Sequence, residues 1–175
     1  DIKNISLNLK TNNSEIIYDK KKIEIDEIKS NFHLKSLFAK KFKIQNIEIT
    51  IKNAKINDAI KFYRLYKNNP SMFIVDKLVK KGNINSTINI NFDQNGNIKK
   101  DFKINGKLYN GKLTLLNNKT IEDVEFNFLI KEKKLLLKKL NLKYDKLKFS
   151  SEKINFFDKK NYFHINGDIN NKDSN

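Results

Sequence analysis

The chain has 175 residues, a formal charge of +16 and no cysteine. Without cysteine there is no disulfide framework, no thiolate metal site and no cysteine nucleophile. No apolar run of about 18 residues occurs, so no stretch of it reads as a membrane-spanning helix.

The length is that of one domain large enough to bury a core. The chain opens Asp1-Ile2-Lys3 and its single methionine is Met72, which reads as a piece of a longer protein. The positive charge raises nucleic acid or an anionic membrane as partners. Arg64 is the only arginine, however, and phosphate-reading surfaces use arginine's planar fork. Lys, Asn, Ile, Phe and Tyr abound while Pro, Trp and Gly are scarce. That bias points to a solvated lysine coat instead, with no nucleic-acid partner.

In chain order, the first 56 residues read as short strands. Leu7 and Leu9 alternate with polar residues, and Asn12-Asn13-Ser14 is a turn signal. Ile23 and Ile25 resume the alternation after a turn at 19–22, and Phe32 and Leu34 follow. Residues 36–41 are compatible with one helical turn. Ile47, Ile49 and Ile51 form the best strand of this half, and the phase change after Ile44 predicts a bulge or turn at Gln45-Asn46. At 57–81 the period becomes helical. Asn57 or Asp58 is the expected cap, Pro70 divides the segment and Gly82 is the expected stop.

Beyond Gly82 the pattern is strand after strand. Ile84, Ile88, Ile90 and Phe92 share one phase, and Asp93-Gln94-Asn95-Gly96 signals a hairpin. Phe102, Ile104 and Leu108 precede a predicted turn at Asn110-Gly111, with Leu113 and Leu115 after it. Val124, Phe126, Phe128 and Ile130 are apolar at every second position, the mark of a strand with one greasy and one wet face. Leu135 and Leu137, then Leu140 and Leu142, continue it with a one-residue phase shift, where the sheet is expected to bend. Phe149, Ile154, Phe156, Phe163 and Ile165 complete the series. The run Phe102-Lys103-Ile104-Asn105-Gly106 returns as Phe163-His164-Ile165-Asn166-Gly167, a weak internal repeat.

Catalytic signatures are missing. His33 and His164 are the only histidines and both lie in strand-like surroundings. No HExxH, GxSxG, phosphate-binding loop or Gly-rich dinucleotide turn occurs. The expectation is a non-enzyme with no cofactor and no metal.

The positive signal is the apolar sheet face. Strands about 4.8 Å apart and about 20 Å long give the part after Gly82 a greasy face on the order of 700 Å². Soluble monomers seldom leave that much bare. Either the first 56 residues fold over it as a second sheet, or it stays open and binds something apolar.

One resemblance bears on that choice. The segments KFKIQNIEITIKNAKI, FKINGKLYNGKLTL and FHINGDI, and the long alternating run over 121–156, resemble the AsmA-like proteins of Gram-negative envelopes, the group that includes TamB and YhdP. The resemblance implies a mainly β fold: a long, twisted antiparallel sheet curled into an open, taco-like groove, with a short helical insert at about 57–81. It implies one continuous architecture, with an N-terminal β segment over 1–56, the insert over 57–81 and a repeating β-groove segment over 82–175. The implied function is a segment of an envelope-spanning lipid-transfer bridge, in the periplasm and attached to the inner membrane by an anchor outside this sequence. Its partners would be phospholipid and, through other parts of the protein, the inner and outer membranes. The expected groove lining is Ile88, Ile90, Phe92, Phe102, Ile104, Val124, Phe126, Phe128, Ile130, Leu140, Leu142, Phe149, Phe156 and Ile165. The alternative is a closed β-sandwich, a structural or adhesion module of a cell-surface protein with no ligand.

Overall fold

Alternation dictates strands and short polar loops dictate antiparallel neighbours, and the computed structural model follows both rules. It describes residues 6–18, 21–33, 43–66, 70–115, 118–132, 134–159 and 162–172. Strands β1 (Ser6–Tyr18), β2 (Lys21–His33) and β3 (Asn46–Lys55) lead into helices α1 (Ile56–Tyr66) and α2 (Pro70–Leu78). Then come β4 (Val79–Asn91), β5 (Lys103–Thr114), β6 (Thr120–Lys131), β7 (Lys134–Tyr144), β8 (Leu147–Lys159), β9 (Tyr162–Gly167) and β10 (Asn170–Asn171). Each strand from β1 to β8 pairs with the next in sequence, and both β9 and β10 pair with β8, giving one 10-stranded antiparallel sheet. The sheet does not close on itself.

This settles the choice between the two architectures. The N-terminal strands do not fold over as a second layer: β3 hydrogen-bonds alongside β4, so β1 to β3 extend the same sheet. Contiguous hairpins make this the low-entropy solution, since each strand finds its partner next door.

Two pairs of residues that read as turns lie inside strands. Asn12-Asn13 lies inside β1 and Asn110-Gly111 inside β5. Asn13, Asn53, Asn110, Asp123 and Lys139, in β1, β3, β5, β6 and β7, hold left-handed backbone at φ of 52, 54, 52, 52 and 52°. Asn and Asp tolerate that region best among residues with a Cβ, so an Asn serves a bulge as well as a reversal. The β1–β2 register runs through Asn13 without a shift. At Asn53, Asn110, Asp123 and Lys139 the register shifts by one, the mark of a bulge, which inserts a residue, flips the alternation and adds twist. Leu137 and Leu140 therefore share a face although they are three apart, with Lys139 absorbing the shift. At the place where the bend is expected, the β6–β7 register shifts by one residue. At Asn53 polar side chains fix the bulge: its N–H donates to Asn85 Oδ1 at 2.7 Å, while Asn83 Nδ2 and Tyr109 Oη donate to its Oδ1 at 2.6 and 3.0 Å. At Gln45-Asn46, where a bulge or turn is expected, Asn31 pairs with Asn46 and its carbonyl also accepts from the Gln45 N–H at 2.8 Å, so two residues face one partner at the start of β3.

Other corrections are local. Gly82 does not stop a helix; it sits within β4 at φ 153°, where a Cβ would press on Ile56 Cγ2 at 3.1 Å. Neither Asn57 nor Asp58 precedes α1, which begins at Ile56; Asn57 instead donates to the Val79 carbonyl at 3.1 Å and ties the helix start to β4. The hairpin at 93–96 is present, with Asp93 Oδ1 accepting from the Asn95 and Asn97 N–H groups. The reading of residues 36–41 as a helical turn, and Leu34, lie outside the described residues.

The core is one-sided. Leu108, Val124, Leu140 and Ile154 form a buried cluster, with Ile56, Leu113, Ile121, Phe126, Leu137, Leu142 and Phe156 packed around it. The helices lie against β2 to β5. Yet three of the four buried residues stand on β6, β7 and β8, where a flat single sheet would leave them half bare. They are buried by Ile56 of α1 and by the large neighbours Phe126, Leu137, Leu142 and Phe156 that pack around them.

Candidate functional site

The pairing register resolves the two faces residue by residue, because directly opposed residues in antiparallel strands share a face. Ile28 pairs with Ile49, Ile49 with Ile88, Ile88 with Ile104, and Ile104 with Ile130. Ile130 pairs with Leu135, Leu135 with Phe156, and Phe156 with Ile165. One unbroken aliphatic and phenylalanine row thus crosses the sheet from β2 to β9.

The expected lining residues fall on this face. Ile88, Ile104, Ile130, Phe156 and Ile165 are members of the row itself. Ile90 opposes Ile47; Phe126 opposes Leu108; Phe128 opposes both Gly106 and Leu137; Leu142 opposes Phe149. Phe92 bridges to Ile98, and Phe102 is half-buried just before β5. Two residues do not line anything. Val124 and Leu140 are only 5% and 7% exposed and belong to the core, in the cluster against which Ile56 of α1 and Leu113, Ile121 and Phe126 pack. Ile28, Ile47, Ile49, Leu135 and Leu137 were not expected on the face. Their signal was in the alternation, but the first three count only once β2 and β3 join the same sheet.

The apolar face is unevenly covered. Ile56 reaches from α1 into the buried cluster and Ile60 is buried, so the helix pair caps the part beside the start of β4. Toward the other end of the strands Ile47, Ile90, Ile104, Ile130 and Phe156 all remain partly accessible. Ile165 and Ile169 are exposed at one edge, and Leu9 at the other. On the helices, Phe73, Ile74 and Val75 are exposed; the Arg64 guanidinium lies 5.2 Å above the Phe73 ring and pairs with Asp76.

The reverse face is wet and charged. Lys112 meets Glu122 at 2.7 Å, Lys107 pairs with Glu125, and Glu27 is shared by Lys10 and Lys29. Those two lysines, Lys10 first, hold the Glu27 carboxyl down at about 2. Lys112 lowers Glu122 in the same way, and the Asn97 N–H lowers Asp93. Across this face, between β3 and β7, runs a trough of about 660 Å³. His164 is exposed on β9 with its ring centroid 6.0 Å from that of Phe157. His33 ends β2, and its side chain is not among those described. Among the described residues no cluster of metal-ligating side chains occurs.

Together these features define a class: a single-layered open antiparallel sheet, greasy on one face and wet on the other, with a helical pair covering one part of the greasy face. Comparison with protein-family models, with curated proteins and with solved structures finds no match.

Proposed function

We propose that the apolar face shields phospholipid acyl chains, and that the chain is a segment of a lipid-transfer bridge between inner and outer membrane. The observation that carries this reading is the unbroken row from Ile28 to Ile165 on a sheet with no second layer of strands among the described residues. Each CH₂ moved from water to such a surface gains about 0.8 kcal/mol, so a continuous apolar track lowers the barrier for a lipid tail crossing an aqueous gap. The side chains are aliphatic or phenylalanine and no polar anchor interrupts the row. Contacts of that kind hold a tail weakly everywhere, which favours sliding over tight capture. The resemblance to AsmA-like envelope proteins supports the same reading, including its periplasmic setting.

The test is lipid occupancy. Chain purified from a lipid-replete membrane extract should carry phospholipid, measured by extraction and mass spectrometry. Ile90→Glu with Ile130→Glu should abolish it while the far-ultraviolet circular dichroism stays that of a sheet. These positions are preferable to Phe126 and Phe128, which pack against the buried cluster and over Gly106. A folded wild-type chain that takes up neither phospholipid nor an apolar dye would overturn the proposal.

A further inference from the structure

The trough on the wet face has a defined floor. Thr50 pairs with Thr87, Thr87 with Asn105, Asn105 with Leu129, and Leu129 with Leu136, and all of them line it. Four strand spacings make it about 19 Å long, running across the strands. One half of the floor offers hydroxyls and carboxamides, which both donate and accept hydrogen bonds. The other half is the flat, partly accessible pair Leu129 and Leu136.

The rims are cationic in a way the rest of the face is not. Lys103 directly opposes Lys131, Lys131 opposes Lys134, and Lys138 opposes Lys153. Like charges directly opposite each other across strands are destabilising. Lys103 and Lys138 belong to the trough lining, as does Lys107. The carboxylates on this face of β6, Glu122 and Glu125, are already held by Lys112 and Lys107. On β1 to β3 the pattern is the opposite: Glu15, Glu27 and Glu48 neutralise Lys22, Lys10 and Lys29. A uniform excess of lysine would not divide the face this way.

We propose that this trough binds an anionic glycan chain. The lysine rims meet its carboxylate or sulfate groups, the Thr and Asn floor meets its hydroxyls, and the Leu129–Leu136 pair carries the apolar side of a sugar ring. A bilayer surface is planar and does not enter a trough of this length. Nucleic acid is disfavoured: the sole arginine, the side chain that reads a duplex best, is Arg64 on α1 paired with Asp76, and the trough has no aromatic row on which the bases of a single strand stack. The site lies on the face opposite the apolar row and does not depend on the lipid reading.

The experiment is titration of the whole chain with heparin, polygalacturonate, neutral dextran, duplex DNA and phosphatidylglycerol vesicles over a range of salt. Heparin and polygalacturonate should bind, more weakly as salt rises, and dextran should not. Lys103→Glu with Lys138→Glu should cost about tenfold or more in affinity, whereas Lys22→Glu on the neutralised side should leave binding unchanged. Thr87→Ala with Asn105→Ala should weaken glycan binding at unchanged salt slope. All these positions are at the surface, and circular dichroism checks that the sheet persists. DNA or vesicles binding as tightly as the glycans, or floor variants with no effect, would overturn the glycan assignment. Binding equally sensitive to Lys22→Glu would overturn the site.

Discussion

The ring of Phe128 lies across the place where Gly106 has no side chain: a Cβ there would meet Phe128 Cζ at 2.7 Å and collide with the Asn85 carbonyl oxygen. The two residues are cross-strand partners between β5 and β6. Gly167 repeats the relationship on β9, where a Cβ would stand 3.0 Å from Ile154 Cγ1, its partner on β8. Because a backbone oxygen is one of the obstacles, rotamer changes alone cannot relieve a side chain at 106. Gly106→Ala should therefore destabilise by about 2–3 kcal/mol, at the upper part of the overpacking range. Urea unfolding measures it. An unchanged midpoint would mean that β5 and β6 are not so closely apposed.

The apolar face has two populations, and truncation should separate them. Leu140 is 7% exposed within a cluster that includes Val124 and Ile154, so Leu140→Ala leaves a cavity and should cost about 3 kcal/mol. Ile90, partly accessible and opposite Ile47, should lose only about 1 kcal/mol on truncation to Ala. Equal losses at both sites would mean that the face is sealed along its whole length. The pair of measurements thus reads the openness of the groove without a ligand.

Much of this was legible in the residues themselves. The alternation through Val124 to Ile130, the helical period read at 57–81, whose helices end at Leu78, and the hairpin at Asp93 follow from side-chain periodicity and turn chemistry. Even the weak repeat is real in register: Ile104 and Ile165 stand in one row across the sheet, and Gly106 and Gly167 each lie under a large neighbour. What failed is equally physical. Asn13 and Asn110 read as turns because the left-handed backbone that serves a reversal also occurs within a strand, at Asn110 as a bulge. Whether β1 to β3 lie over the face or beside it is a matter of which edge β3 pairs with, which alternation does not encode. The wet-face trough was invisible for a related reason. Thr50, Thr87 and Asn105 are far apart in sequence and meet only through the register.

Lys139 is the bulge residue least suited to its backbone. It holds φ 52° with an unbranched but full side chain, whereas Asn13, Asn53, Asn110 and Asp123 are of the types that tolerate this region. Left-handed backbone costs an ordinary L-residue about 1–2 kcal/mol. Glycine avoids that cost but loses about 0.5–1 kcal/mol through the freedom of its unfolded chain. Lys139→Gly should be net stabilising by about 0.5 kcal/mol, and Lys139→Val should be destabilising by at least as much. A valine that leaves thermal unfolding unchanged would show that β7 runs through without a bulge.

Glu27 should make the N-terminal side of the sheet acid-sensitive. Its carboxylate accepts hydrogen bonds from Lys10 on β1 and Lys29 on its own strand, and its pKa falls from the ordinary 4.5 to about 2. The folded state therefore binds fewer protons than the unfolded state within that window, so stability rises with pH across it. The contribution is complete above about pH 4.5 and is lost as pH falls through about 2. Glu27→Gln should flatten this part of the stability–pH curve and lower the urea midpoint near neutrality, with little effect at the acid end. Because these groups lie at the surface, molar salt should shrink the difference between the two proteins. Parallel pH profiles for wild type and Glu27→Gln would remove Glu27 as the cause.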